Sequence, residues 1–349
     1  MKLTRIAKLL PDDELRTRLL DRIQLLNSAA IWLAEISFVE RTWARVALHH
    51  RAYRELRERF NLQATEAYAV LGKVVAAYAN KKRRTKLATF RSLSSIPLIQ
   101  HRYLRTGEVS LYGFHIPFVC DTELSSKHEA RLVIQGGKLL LYQTIEVEET
   151  SIFQPTDWLG VDLGIVNLAV DSDGKVYSGK QTNGLRRRHK RLRAKLQSKG
   201  TRSAKRLLQK RSGKERRFAA NVNHIISKGI VTEAHGSGRG IALENLKGIR
   251  SRIKATRAQR GRLHSWGFAQ LRSFIEYKAR LKGVAVVTIN PAYTSQTCPN
   301  CGLIDKRNRK TRNDFQCVGC GFAGPADAIA AENIRRAVGN RPDATAASG

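Results

Sequence analysis

Cys298, Cys301, Cys317 and Cys320 form two CxxC pairs separated by fifteen residues, the spacing of two short knuckles that close tetrahedrally on one zinc ion. Four thiolates leave no open coordination position, so the expected zinc is structural rather than catalytic. The only other cysteine, Cys120, reads as a buried small hydrophobe. Seven residues after the last knuckle cysteine stands Asp327, with Ala331, Ile334 and Val338 following at helical spacing. Pro325 suits the first turn of that helix, and the spacing puts the carboxylate on the apolar, core-facing stripe. A buried carboxylate without a partner is costly, so Asp327 is either a neutral or capped oddity or a ligand for a cation.

Two further carboxylates pose the same question. In DWLGVDLGIVNLAVDSDGKVYSG, residues 157–179, Asp162 lies inside an apolar strand that folds back through NLAV and an Asp-Gly turn into a third strand. GIALENL gives a short buried strand over 240–244 that ends on Glu244. Three carboxylates brought together repel unless divalent cations bridge them. Magnesium fits, because it prefers hard oxygen donors. Two such ions roughly 3.5–4 Å apart activate a water and stabilise the leaving oxygen of a phosphodiester.

The elements that must position these groups can be read in order. GVAVVTIN, 283–290, is a continuous apolar strand of the buried parallel kind, and SWGFAQLRSFIEYKARLKG before it reads as a helix with Trp266 and Phe268 near its start. The basic stretch 246–262 reads as a mobile segment beside the site, and the small-residue tail from Gly339 as disordered. Residues 181–222 hold sixteen Lys or Arg and one acid, Glu215, and are expected as a basic helical pair. Without its insertions, the second half runs β-β-β-α-β-α-β-α, the order of an α/β ribonuclease H-like fold. In that fold the ends of central strands and one flanking helix meet.

In the first half, KLTRIAKLL reads as a strand ended by Pro11. Asp12 or Asp13 can cap a helix carrying Leu15, Leu19, Ile23 and Leu26. A second helix is expected from Trp32, Ile36, Val39, Trp43 and Val46, and a third within 62–79. From about residue 86 the pattern alternates, with a tight hairpin at Gly136-Gly137. Residues 86–150 are therefore expected as a small antiparallel β-barrel that the first strand joins across the helices. Arg51, Arg54 and Arg57 and the run Lys81, Lys82, Arg83 and Arg84 suit phosphates, with Tyr53 or Phe60 to stack or pack.

Lys and Arg number 63 against 29 Asp and Glu, a net charge of +34 in 349 residues. The expected partner is a polyanion. No apolar run reaches the roughly 18 residues that a bilayer span needs. MKLTRIAKLL, followed at once by PDDE, lacks the apolar middle of a signal peptide, and the cysteine usage fits a reducing cytoplasm.

GVDLGIVNLAVDSDG, IALENLKGIR, the two knuckles preceded by NPAYTSQ, and GPADAIAAENI together resemble the split RuvC motifs and zinc finger of TnpB proteins. These are transposon-encoded RNA-guided nucleases related to the miniature type V CRISPR effectors. The four motifs span about residues 157–337 in the family's order. The resemblance implies a wedge strand at 1–11, a helical recognition domain at 12–85 and a wedge β-barrel at 86–155. It further implies a RuvC-like nuclease at 156–291, a zinc-binding insertion at 292–324, the third-motif helix at 325–338 and a tail at 339–349. Its metal-binding catalytic triad falls on Asp162, Glu244 and Asp327, and its zinc ligands on Cys298, Cys301, Cys317 and Cys320. The implied cofactors are one structural zinc and two catalytic magnesium ions.

The implied activity is RNA-guided cutting of double-stranded DNA beside a short flanking motif, with a noncoding guide RNA supplying sequence specificity. The protein would work in a prokaryotic cytoplasm, at the nucleoid. Candidate nucleic-acid contacts are Arg51, Arg54, Lys81, Lys82, Arg83 and Arg84, then Arg186, Arg187, Arg188, Lys190 and Arg191, and in the zinc segment Lys306, Arg307 and Lys310 beside Arg309 and Arg312. One position departs from the family pattern: Ile329 stands where the third motif usually has its first Asn, while Asn333 is retained. The alternatives are a nuclease-silent RNA-guided DNA-binding regulator, a strand-transferring transposase on the same fold, and a miniature type V CRISPR effector.

Overall fold

In the computed structural model, which describes residues 1–122, 124–211, 213–246 and 267–339, the chain divides into two units, Met1–Val147 and Glu148–Gly349.

The first unit is organised around its opening strand. In β1 (Lys2–Leu9) alternate side chains turn inward, ending on buried Ala7 and Leu9. β1 pairs antiparallel with β7 (Lys138–Glu146) from Lys2↔Glu146 to Lys8↔Leu140, and with β5 (Phe114–Val119) at its other edge. With β2 (Ile96–Leu98), β3 (Arg102–Tyr103), β4 (Glu108–Leu111) and β6 (Ala130–Gln135), the sheet order is β2-β6-β7-β1-β5-β4-β3. Gly136 and Gly137 join β6 to β7 with φ of 59° and 77°, the left-handed pair that a two-residue hairpin requires. No hydrogen bonding links β2 to β3, so the expected barrel is a half-barrel; edge strands of three and two residues are too short to close the ring.

Between β1 and β2 run α1 (Asp13–Val39), α2 (Arg45–Phe60) and α3 (Ala64–Tyr78). The Asp12 carboxylate accepts from the Leu15 N–H at 2.7 Å and caps α1. The two helices expected over 15–46 are one helix of 27 residues followed by a break. Nothing in Asn27–Ile31 stops a helix, and Ala29 and Ala30 pack in the core. The chain turns only at Arg41, whose φ is 50°. Val39 and Val46, counted as one stripe in the sequence, are 78% and 69% exposed on either side of that turn. Leu19, Ile23 and Leu33 share one core with Leu48, Leu56 and Leu71 of the other helices and with Leu132 and Leu141 of the sheet.

In the second unit β8 (Trp158–Asp162), β9 (Asn167–Asp171) and β10 (Val176–Ser178) form an antiparallel meander. β11 (Gly240–Glu244) and β12 (Val286–Ile289) add in parallel on the other side of β8, giving the order β10-β9-β8-β11-β12. The basic stretch after β10 forms α4 (Lys180–Lys199), α5 (Arg202–Arg211) and the start of α6 (Lys214–Gly236), one helix more than the expected pair. Glycines at 200 and 213, both with positive φ, end α4 and precede α6. α6 packs on α7 (Phe268–Leu281), and Ile230, Leu271 and Ile275 cover Leu159, Val161, Ile241 and Leu243. The alternate residues of the same strands face the opposite way. There Ala242 meets Ile334 and Val338 of α8 (Ala326–Gly339). The basic stretch 247–262, Trp266 and the tail from 340 lie outside the described residues.

Candidate active site and thiol cluster

Strand alternation decides where the acids go. Leu159 and Val161 of β8 and Ile241 and Leu243 of β11 face α6 and α7. Period-two geometry therefore turns Gly160 and Asp162, and Ala242 and Glu244, to the α8 face. Gly160 pairs with Ala242 in the parallel register. Asp162 and Glu244, two residues further on each strand, thus stand side by side at the C-terminal ends, about one strand spacing, ~4.8 Å, apart in backbone. Asp327 comes from the first turn of α8. The helix reaches the sheet because residue 160 is glycine: a β-carbon there would lie 2.1 Å from the Ala331 carbonyl oxygen.

The site is desolvated and negative. Burial first, then the charges of Glu244 and Asp327, push the Asp162 carboxyl up to about 7, offset in part by the Arg309 guanidinium and the Leu163 N–H. Burial likewise raises Glu244, opposed by the hydrogen bond from Thr294 and by Arg309. The Thr294 hydroxyl donates to Glu244 Oε1 at 2.5 Å. Asn167 Nδ2, on β9, donates to Asp327 Oδ2 at 3.0 Å, and Arg309 Nη2 lies 3.5 Å from Asp327 Oδ1. Glu244, Asp327 and Arg309 thus all act on Asp162. The carboxylates are not drawn to ligand-to-ligand distances, however. Among the described residues only the four thiols are gathered closely enough to hold a metal ion. Hard oxygen donors on a half-buried, mutually repelling set suit magnesium in kind.

The four Sγ atoms all lie within 4.8 Å of one another, with Cys298 to Cys320 at 3.6 Å and Cys301 to Cys317 at 3.5 Å. Tetrahedral zinc with Zn–S of about 2.3 Å sets sulfurs roughly 3.8 Å apart, so the cluster fits that ion. Backbone N–H groups stabilise two of the thiolates: Phe322 foremost brings Cys320 down to about 6, and Cys320 foremost lowers Cys317. Gly302 and Gly321, each directly after a second knuckle cysteine, take φ of 75°. Buried Asn308 ties the knuckles together, donating to the Gln296 and Leu303 carbonyls and accepting from the Val318 N–H. Cys120 is half-buried at the edge of the first unit's core.

Thr294, Asn167 and Asn308 had no sequence signal, being short polar residues in loops or at a strand end. Arg309 registered only as one of the zinc segment's many charges. Ile329, where the family pattern has Asn, packs with Cys298, Phe315, Cys317 and Ala326. Asn167 supplies the amide at Asp327 instead.

The basic candidates divide by partner. Arg51 pairs with Glu40 at 2.7 Å, Arg54 with Glu58 at 3.2 Å and Arg307 with Asp305 at 2.7 Å. Such exposed pairs contribute about 0–1 kcal/mol and exchange readily for phosphate. Lys81, Lys82 and Arg83 are exposed on a short 3-10 turn, while Arg84 donates to the Tyr78 carbonyl and lies over Trp43. On α4, Arg187, Arg188, Lys190 and Arg191 are exposed and Arg186 is half-buried. Lys306 and Lys310 are exposed, Lys310 donating to Gln316. No helix among the described residues is long and apolar enough to cross a membrane.

Residues 142–238 match the family described as "Probable transposase", and residues 268–334 match "Cas12f1-like, TNB domain". The "TnpB-like protein MJ0751" of Methanocaldococcus jannaschii is 34% identical over 149 residues, 42% of this chain and 52% of that protein. The Escherichia coli K12 "Putative RNA-guided DNA endonuclease InsQ" is 30% identical over 217 residues, 57% of this chain and 53% of that one. The chain spans about half the length of these longer relatives or less. A shorter relative, "Putative transposase MJ0856.1" of M. jannaschii, is 35% identical over 89 residues, 81% of its length. With both halves of the second unit matched, and in the order of the motifs, the chain belongs to the TnpB family.

Proposed function

We propose that the protein is an RNA-guided DNA endonuclease of a transposable element that hydrolyses phosphodiester bonds at Asp162, Glu244 and Asp327. The strand order of the second unit is read as ribonuclease H-like, of RuvC type. The observation that carries the reading is the convergence of β8, β11 and α8: one strand face presents Asp162 and Glu244 together, and α8 sits on Gly160 with Asp327 held by Asn167.

The three carboxylates would hold two magnesium ions, which supply an activated water and stabilise the leaving oxygen. Thr294 orients Glu244 and opposes the burial that raises its carboxyl, and Asn167 fixes Asp327. Arg309 balances part of the triad's charge and is placed to meet a phosphate. The thiol cluster would take one structural zinc. Lys81–Arg83, the exposed bases of α4, and Lys306 and Lys310 are the proposed contacts to a guide RNA and its double-stranded target, in keeping with a charge of +34. The wedge and recognition roles are assigned to the half-barrel and helices of the first unit, and the site of action to nucleoid DNA.

Incubation with guide RNA, magnesium and a plasmid target tests the reading. Cleavage by the native protein and none by Asp162→Ala, with target binding retained in both, is the expected result. Intact plasmid despite tight target binding by the native protein would instead make it a DNA-binding regulator.

A further inference from the structure

One residue before Thr294, the partner of Glu244, stands an aromatic side chain whose exposed placement folding does not explain. Tyr293 has a φ of 64° and is 59% exposed. A bulky residue in the left-handed region is held there at a conformational cost, and such outliers gather at functional sites. What holds it is on either side. The Tyr293 carbonyl accepts from the Gln296 N–H at 2.9 Å, the Thr297 N–H at 3.0 Å and the Thr297 hydroxyl at 2.9 Å. Asn333 Nδ2, on α8, donates to the carbonyls of both Thr294 and Thr297 at 2.8 Å. The very next residue is Thr294, 7% exposed, whose hydroxyl holds Glu244. The turn is thus clamped to the same helix and the same carboxylate that make the site, and it turns a large ring out to solvent. Among the described residues that ring stacks on no aromatic group and lies under no cation.

We infer that Tyr293 is a stacking platform for an unpaired nucleobase of the DNA strand entering the carboxylate site. A ring on a residue 59% exposed, one residue from the partner of Glu244 and on the same segment as exposed Lys306 and Lys310, has the chemistry that grips single strands: a π-face for the base and cations for the phosphates. A stacked base would fix the strand's register, and with it the phosphate offered to Asp162, Glu244 and Asp327. The inference rests on the proposed nuclease reading for that last step, but the stacking itself does not.

The test uses the full chain and a single-stranded DNA oligonucleotide carrying 2-aminopurine, with magnesium chelated and guide RNA added only for the cutting assay. The native protein and Tyr293→Phe should quench the fluorescent base, and Tyr293→Leu should lose the quench and bind about tenfold more weakly. Tyr293→Gly, which relieves the backbone, should raise Tm while losing the quench, a combination that a purely structural role for the ring would not produce. Undiminished quench and affinity in Tyr293→Leu would overturn the inference, as would equal Tyr293-dependent quenching by an RNA of the same sequence. With magnesium restored, plasmid cutting by Tyr293→Leu should fall several-fold. A native protein that quenches but never cuts would sink the nuclease reading and leave the stacking site standing.

Discussion

The carbonyl oxygen of Ala331 lies 2.1 Å from the point where a β-carbon on residue 160 would stand, and the Arg335 amide nitrogen 2.6 Å from it. Backbone of α8 therefore rests directly on β8, one turn beyond Asp327. Gly160→Ala should force the helix off the strand, with an overpacking cost of about 1–3 kcal/mol. Tm should fall and target cleavage should drop by more than tenfold, while zinc content measured by atomic emission stays at the native value. Native cleavage in a stable variant would show that the close approach does not place Asp327.

The pH dependence of the metal-free protein follows from Asp162. Its carboxyl is raised to about 7, so between the ordinary carboxylate value and 7 the folded protein holds a proton that the unfolded chain has lost. Stability from this group is present at low pH and lost as pH rises through about 7. In chelator, Asp162→Asn should therefore gain Tm over the native protein at about pH 8 and gain little at about pH 5. On the proposed reading magnesium competes with that proton, so its stabilising shift should be larger at the higher pH. A native and variant pair with the same Tm difference at both pH values would contradict the placement of Asp162.

Cys317→Ser removes one thiolate from a set gathered within 4.8 Å. Bound zinc should fall to near zero by atomic emission, and cleavage should be lost together with it. Full metal content in the variant would refute the pairing of the knuckles.

In the first unit Glu66, 1% exposed, is paired with Arg22 between α1 and α3. Arg22→Ala leaves that carboxylate buried without its partner, at a cost of about 3–5 kcal/mol. Denaturant unfolding should show the loss, and Arg22→Lys should recover only part of it, because a single ammonium cannot make both contacts. A loss under ~1 kcal/mol would mean that solvent reaches Glu66.

Much of the site was legible because chemistry constrains residue type. Paired CxxC motifs have few other uses, so spacing alone named the four cysteines, while the three acids could be named from their apolar settings together with the family resemblance. The partners of those acids could not. Thr294 in a turn and Asn167 at a strand's start are ordinary short polar residues until folding aims them, and Arg309 is one base in a crowded segment. Hairpin glycines and alternation revealed the strands of the first unit. Helical periodicity misled at Val39 and Val46, since a 3.6-residue count continues across a break that only Arg41's backbone reveals. Whether a run of short strands closes into a ring depends on edge hydrogen bonds, which carry no pattern in the side chains.

Ile329 belongs at once to the helix that carries Asp327 and to the small cluster that walls the thiols, where it meets Cys298, Phe315 and Cys317. One branched side chain thus touches both the wall of the thiol cluster and the helix of the third carboxylate. On the proposed reading, a cell depleted of transition metal would hold copies of this protein folded in the main yet unable to cut.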